Sequence, residues 1–415
     1  MKTVDEVFGK SYYELENTEP KAVEEQVTIK ATPEVERVEP EELENAYLKD
    51  PITFNSINKA TQAIMAAGYS FKCKDQDAKE YFDKFTEDIG KVGEDITFDE
   101  FLYSIFQYQM IYGNSYAEIV WNKSMTRIVD LVILDPKRID YAKDGQGRIV
   151  LDKYGKPIGY TQTVPYGVSV EGKGDKIPGE YIDTIKIDNN QIFLSPRRIC
   201  HFKLYTYGDR FYGIGLIEPA YKTIVRKMNI EVAQTNSIDA RGTFPLIDYI
   251  GDPMHDPTPQ MIDNALVKLK DFRHNRYFAF PYWHRVEPLE IKGSDIVENT
   301  LRYLRENQSS SLGIPLAFAI GSGEATNRAT LSNQQQFMEF TLNDIVSKTI
   351  STIEKYIFSV ICKTEGLSEY PKIVWGNIKA EEINDKAKRL VSYVEKGIIP
   401  AERVSDYALG SEDLN

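Results

Sequence analysis

Apolar residues recur with a helical period over one unusually long stretch. Met338, Leu342, Val346, Ile350, Ile353, Ile357 and Ile361 follow one another at steps of four or three. That spacing puts them on one face of a helix with 3.6 residues per turn. No glycine or proline interrupts 328–363, and Gly366 follows as a stop signal. The pattern predicts a helix over 329–363, roughly 50 Å long at about 1.5 Å per residue. Its first ten or so positions are polar and nearly uncharged, whereas its later turns are apolar with charges on one side. The start is therefore expected in wet surroundings and the remainder in a core. A small-residue loop, 316–328, precedes it.

The same reading gives shorter elements elsewhere. Ile52, Ile57, Ala60, Ile64 and Ala67 form the apolar stripe of a helix that opens at Asp50-Pro51 and ends at Gly68. Residues 69–73 alternate as a short strand, and 78–89 form an amphipathic helix. Thr97 and Glu100 make a capping box before an aromatic-rich helix closed by Gly113-Asn114. Strands are expected at 115–121, 127–134 and 199–204, with a meander over 139–163 and an exposed loop over 165–190. Two helices, 217–241 and 295–311, bracket a small αβ insert. Its predicted elements are strands at 243–250, 276–280 and 286–291 and a helix at 258–272. A compact insert brings its two ends together, so the bracketing helices should be neighbours. A strand at 373–375 and a helix at 381–395 follow. The fold class is α+β.

Charge changes this picture at one end. The chain has 415 residues and a net charge of −13, and residues 1–50 hold 14 Asp/Glu against 6 Lys/Arg. Residues 1–44 read as an acidic flexible arm that cannot bury enough apolar surface to offset its ordering entropy. The acidic balance argues against a protein that coats DNA by neutralising phosphates. Cys73, Cys200 and Cys362 share no metal-type spacing, which fits free thiols in a reducing compartment. The first residues lack an apolar signal region, and no apolar run reaches the length of a membrane span. Synthesis in the cytoplasm without membrane attachment is expected.

Candidate chemistry is sparse. His201, His255, His274 and His284 show no HExxH or similar ligand spacing. Gly9-Lys10-Ser11 lacks the first glycine of a phosphate loop, since Val4 stands there. The glycine-rich stretch 207–215 lacks a dinucleotide fingerprint, and Asp144-Gly145-Gln146-Gly147 reads as a hairpin turn. No nucleophile elbow occurs. No catalytic residue, metal site or cofactor is expected, and the residues point to a structural or interaction protein. They leave open an oligomeric scaffold that never handles DNA, and a metal-dependent nuclease.

Several stretches, taken in order, resemble one family. Tyr112-Gly113-Asn114-Ser115-Tyr116-Ala117 followed by Leu134-Asp135-Pro136 is similar to a YGNAY…LDP signature. Arg198-Ile199-Cys200-His201-Phe202, Tyr212-Gly213-Ile214-Gly215-Leu216-Ile217, Leu312-Gly313-Ile314-Pro315 and Asn327-Arg328-Ala329-Thr330 continue the likeness. Together they resemble the portal proteins of tailed double-stranded DNA viruses, the HK97- and SPP1-like phage portal family, over roughly residues 45–400. The resemblance implies a ring of about twelve subunits at one capsid vertex. Double-stranded DNA would pass through it during packaging by a terminase motor and later ejection. It also implies a virion location and partners in the terminase large subunit, the major capsid protein and a head–tail adaptor.

Carried onto this chain, the family's parts are a wing (45–216), stem helices (217–241 and 294–315) and a clip (242–293). A tunnel loop (316–328), a long wing helix and strand (329–377) and a short crown (378–415) complete it. Implied tunnel-loop residues are Gly321, Ser322, Gly323, Glu324, Ala325, Thr326, Asn327 and Arg328. Asn236, Asp239, Arg241, Arg305, Asn307 and Gln308 are the stem candidates for facing the channel. Lys268, Lys270, Arg273, Arg276 and Trp283 are the clip candidates for terminase or adaptor contact.

Overall fold

The computed structural model describes residues 37–91, 95–165, 174–208, 210–242, 246–250, 256–270, 284–288, 294–320, 328–376 and 391–394, with Ile378 and Lys396. The predicted strand 276–280, most of the arm and most of 378–415 lie outside the described residues.

The first described helix, α1 (Pro40–Lys49), corrects the expected boundary of the acidic arm. Leu43, Ala46 and Tyr47 sit at i, i+3 and i+4, and all three are buried, Leu43 completely. Burying the leucine contributes about 1.5–3 kcal/mol, and with Ala46 and Tyr47 packed beside it the core adds to the helix's own hydrogen bonds a contribution that the acidic composition does not announce. α2 (Pro51–Ala66) starts where expected. Proline occupies its first turn, and the Asp50 carboxylate accepts from the Thr53 amide at 2.8 Å.

β1 (Tyr69–Lys72) is followed by α3 (Gln76–Asp88), capped by Asp75. α4 (Phe98–Tyr112) carries the predicted capping box at Thr97 and Glu100, and Gly113 ends it in the left-handed region at φ 75°. The sheet that follows is antiparallel, in the order β3 (Ile128–Leu134), β2 (Asn114–Trp121), β7 (Ile199–Lys203). A second antiparallel sheet runs β4 (Ile139–Tyr141), β5 (Tyr160–Thr163), β6 (Gln191–Leu194). The Asp144 loop is a turn, as expected: its carboxylate accepts from the Gln146 and Arg148 amides at 2.8 and 2.9 Å.

α5 (Ile217–Gly242) and α7 (Ser294–Leu312) pack together and bracket the insert. Within the insert, β8 (Leu246–Ile250) pairs antiparallel with β9 (His284–Pro288), and α6 (Pro259–Lys270) contacts β8. A short helix, α8 (Leu316–Ile320), occupies the start of the expected loop 316–328, with Ala319 buried.

The long helix begins as α9 (Arg328–Ile353), passes through a π-helical turn at Glu354–Phe358, and ends as α10 (Ser359–Glu365). Gly366, at φ 71°, terminates it. Leu342, Val346, Ile353, Ile357 and Ile361 of the predicted stripe are buried, and Met338 and Ile350 pack partly exposed against the same core. The π turn has a local consequence: the Glu354 carboxylate accepts from the Ile373 amide at 3.0 Å and pairs with Lys372 at 2.6 Å. It thereby docks the outer edge of β10 (Lys372–Trp375). β10 completes a two-stranded sheet with β1, some 300 residues earlier in the chain.

The principal core joins α1, α2, α4 and the long helix, with Leu43, Ile57, Ile64, Phe101, Ile105, Ile345 and Ile353 fully buried. A second, aromatic cluster (Tyr116, Tyr141, Tyr160, Tyr212) lies between the two three-stranded sheets. The glycine-rich stretch 207–215 joins them by close backbone contact. A Cβ on Gly213 would lie 2.2 Å from the Gly113 carbonyl oxygen, and one on Gly215 would lie 2.7 Å from the Gly113 nitrogen.

Backbone cannot yield as a flexible side chain can, so Gly213→Ala is expected to destabilise the protein by about 3 kcal/mol or more. Gly145→Ala, with open space around its Cβ, should stay within about 0.5 kcal/mol of the parent. Urea unfolding of the two variants against the parent checks the contrast.

Candidate functional site

The candidate site is the base from which α5 and α7 leave the core. One carboxylate organises it. Asp50 caps α2 through the Thr53 amide and accepts from the Thr53 hydroxyl at 2.7 Å. It also forms an ion pair with Lys227 of α5 and accepts from the Gln308 side-chain amide of α7. The Gln308 Nε2 reaches the Thr53 hydroxyl as well, at 2.8 Å. Asp50 and Gln308 have no exposed surface and Lys227 is 1% exposed.

Burial alone pushes the Asp50 carboxyl up. The Lys227 and Thr53 hydrogen bonds and the Lys227 charge outweigh it and hold the carboxyl below its ordinary range. Four helices, with α1 ending at the same residue, thus converge on one buried charge, and the position of the α5–α7 pair is set from its root.

These contacts also give the pair its register. Gln308 lies beside Lys227, and Arg305 pairs with Glu231 at 3.2 Å. The helices are therefore antiparallel, and 236–241 lie further along α5, toward the insert. The six candidates expected to face one lumen separate accordingly. Gln308 does not face solvent at all, which corrects that expectation. A polar residue at the end of an amphipathic helix reads as wet, but here Asp50 supplies a buried partner. Neighbouring Ser309 is likewise buried, its hydroxyl donating to the Ile314 carbonyl at 2.6 Å. Asn307 is half-buried, and Arg305 is exposed.

Asn236, Asp239 and Arg241 lie in α5, Lys268 and Lys270 in α6, and Arg328 at the start of α9; their side chains are outside the described set. Gly321, Ser322, Gly323, Glu324, Ala325, Thr326 and Asn327 lie outside the described residues, as do Arg273, Arg276 and Trp283.

Two features of the base went unread in the sequence. Lys59 of α2 donates to the Phe318 carbonyl of α8 at 2.6 Å, tying the α8 backbone to the core just before residues 321–327. Phe337 and Phe340, on the polar half of α9, are 72% and 70% exposed. They lie off the predicted apolar stripe, so helical periodicity could not mark them. Val232 of α5 and Tyr303 of α7 are exposed as well.

Among the described residues, the histidine with a perturbed environment, His201, is structural. His201 Nε2 lies 2.9 Å from the Asn114 carbonyl oxygen. The Asn114 Nδ2 group donates to the Tyr112 and Gly213 carbonyls, and its oxygen also accepts from the Gly213 amide. With Asn114 Oδ1 as acceptor, His201 carries its proton on Nε2, which leaves Nδ1 as an acceptor 3.0 Å from the Tyr141 hydroxyl, whose one proton is shared with the Phe211 carbonyl at 3.1 Å. Burial, with Lys203 and Arg37 adding to it, pushes the His201 pKa well below its ordinary value. Among the described residues no cluster of histidine, cysteine or carboxylate groups has a metal-binding arrangement, and no helix is long and apolar enough to cross a membrane. Cys73, Cys200 and Cys362 are free thiols.

Lys227→Met leaves the Asp50 charge buried without its cation and should cost about 3–5 kcal/mol. Adding Asp50→Asn, which keeps an N-cap, should restore most of that loss; a double-mutant cycle by urea unfolding measures it. Asp50 has a depressed folded-state pKa, so its contribution is present above about pH 4 and is lost as pH falls through the folded value. The acid limb of the stability curve should flatten in Asp50→Asn. His201 stays neutral in the fold while its unfolded form gains a proton below about pH 6.5. Stability should therefore fall as pH drops from 6.5 to 5, and His201→Gln should remove that slope in thermal melts.

Residues 41–408 match the family model described as the portal protein of Mu bacteriophage. Three similar solved chains share the fold. One comes from the virion of the native gene transfer agent particle, with 14% identity and a TM-score of 0.56 over 90% of this chain and 94% of that one. Another comes from the neck of the empty particle computed with C6 symmetry, with 15% identity, a TM-score of 0.56 and the same coverage. A third comes from the neck of the native particle computed with C12 symmetry, with 12% identity and a TM-score of 0.54 over 89% and 93% of the two chains. No curated protein matches the sequence. With nearly its whole length inside the family model, the chain belongs to the portal proteins typified by that of Mu bacteriophage.

Proposed function

We propose that copies of this chain assemble into a ring at a capsid vertex of a tailed virus, and that double-stranded DNA crosses the ring during packaging and ejection. The family match over 41–408 carries the reading. Twelve copies is the number we propose, the symmetry used for one similar neck. In this arrangement 45–216, joined by α1, form the wing. α5 and the 294–315 segment form the stem, 242–293 the clip, 316–328 the tunnel loop and 378–415 the crown. The buried Asp50 junction supports it: a stem held by a single charge at its root keeps a fixed angle to the wing, which a closed ring requires of every copy.

The work of translocation belongs to a separate terminase, whose large subunit would meet the clip; the clip would later meet a head–tail adaptor. The wing would contact the major capsid protein. The chain's own part is a conduit. A net charge of −13 disfavours tight phosphate binding, so a duplex could slide through without being held. Asn236, Asp239 and Arg241 near the far end of α5, with Glu324 and with Arg328 at the start of α9, are the residues we propose along the lumen.

Phe337 and Phe340 are exposed among the described residues, and burial against a neighbouring copy would cover them. Native mass and negative-stain imaging are expected to show rings of the purified protein with an open axis. Phe337→Glu with Phe340→Glu should convert rings to monomers without lowering the thermal midpoint of the monomer. A closed dimer that buries α5 and α7 would overturn the proposal.

A further inference from the structure

The pairing of β1 with β10 places two like charges opposite each other. Lys72 faces Lys372 across the antiparallel ladder, an arrangement that destabilises a sheet. Lys372 is partly relieved by Glu354 at 2.6 Å. Lys72 has no carboxylate within ion-pair distance among the described residues, and neither has Lys74 nor Lys363. The carboxylate that lines the same pocket, Glu369, is already engaged. Glu369 accepts from the Lys74 and Asp75 amides at 2.6 and 3.0 Å and from the Cys73 thiol at 3.5 Å.

These four lysines, with the amide-bound Glu369 as the one carboxylate among the lining residues, surround one concavity of about 780 Å³ formed by the two strands, α10 and the loop that follows it. Leu367, Val374 and the buried Cys362 contribute its apolar lining. A chain with net charge −13 thus sets four ammonium groups against a single lining carboxylate around an apolar floor, and accepts a like-charge pair in a ladder to do so.

We infer that this pocket docks an acidic peptide segment of a partner protein, its carboxylates meeting Lys72, Lys74, Lys363 and Lys372 and an apolar side chain filling the floor. Charge complementarity selects an anion. The floor selects a peptide over a nucleic acid, because a phosphate backbone offers no side chain to bury there, whereas single strands are read by a groove tracking the backbone and by stacked rings. The volume suits a few residues. The site lies at the far end of the long helix from residues 321–327 and is independent of the conduit reading.

The test uses the full-length protein, as monomer or ring, and a fluorescein-labelled peptide Glu-Glu-Leu-Phe-Glu-Glu read by fluorescence anisotropy. Binding is expected to be saturable and to weaken with added salt. It should weaken at least tenfold in Lys72→Glu with Lys363→Gln, and stay unchanged in Lys153→Glu, an exposed lysine elsewhere. Lys72→Glu places opposite charges across the ladder, so folding is not at risk; thermal melts confirm it. Replacing Leu-Phe in the peptide by Ser-Ser should also weaken binding several-fold, and a twelve-residue oligothymidylate should not compete. Failure of the peptide to bind the parent protein, equal binding by the Lys72/Lys363 variant, equal binding by the Ser-Ser peptide, or effective competition by the oligonucleotide would each overturn the proposal.

Discussion

One buried carboxylate holds four helices in a fixed relation. Asp50 ends α1, caps α2, neutralises Lys227 of α5 and receives Gln308 of α7. Removing two charges from water is costly, and a buried pair is a poor source of net stability. Its value lies in specificity. An apolar contact at this junction would tolerate several helix angles, because hydrophobic attraction has no direction. A charge with satisfied hydrogen bonds tolerates few, because each displacement leaves a buried polar group unpaired. For two helices that project from a core and carry an inserted unit, a small angular error at the root becomes a large displacement at the tip.

A second constraint acts at the backbone. Gly113, Gly213 and Gly215 touch without side chains between them, and Asn114 locks that contact by exchanging hydrogen bonds with Gly213 in both directions. His201 and Tyr141 extend the network into the aromatic cluster. The Tyr-Gly-Asn and Tyr-Gly-Ile-Gly stretches that carry the family likeness are thus the two halves of one joint between the helical core and the two sheets. Their role is architectural, which is why no chemistry could be read from them.

The long helix belongs partly to each constraint. Its second half is an ordinary core helix, and its π turn diverts Glu354 to dock β10. Its first half shows Phe337 and Phe340 to solvent. Large apolar groups left exposed on an otherwise polar face mark a surface meant for another molecule more often than an isolated exposed residue does. The division of the helix into a wet half and a dry half, visible in its composition, corresponds to a half presented outward and a half that anchors it.

Local signals were enough for much of the chain. The capping box at Thr97, the stop at Gly366, the turn at Asp144, the apolar stripe from Leu342 to Ile361 and the insert between two helices depend on neighbours within a few residues, so sequence order carries them. The family likeness was also legible, since it rests on short stretches in a fixed order. Other features depend on residues that meet only after folding. Lys227 and Gln308 read as helix-surface residues until Asp50, 177 and 258 positions away, is placed between them. α1 reads as solvated arm until the core covers Leu43. Lys72 reads as an ordinary edge lysine until β10 sets Lys372 opposite it. Local propensity and periodicity report what a segment prefers by itself, whereas burial of a charge, closeness of two glycines and pairing of distant strands are decided by the tertiary structure, because only there do desolvation and contact distance have a value.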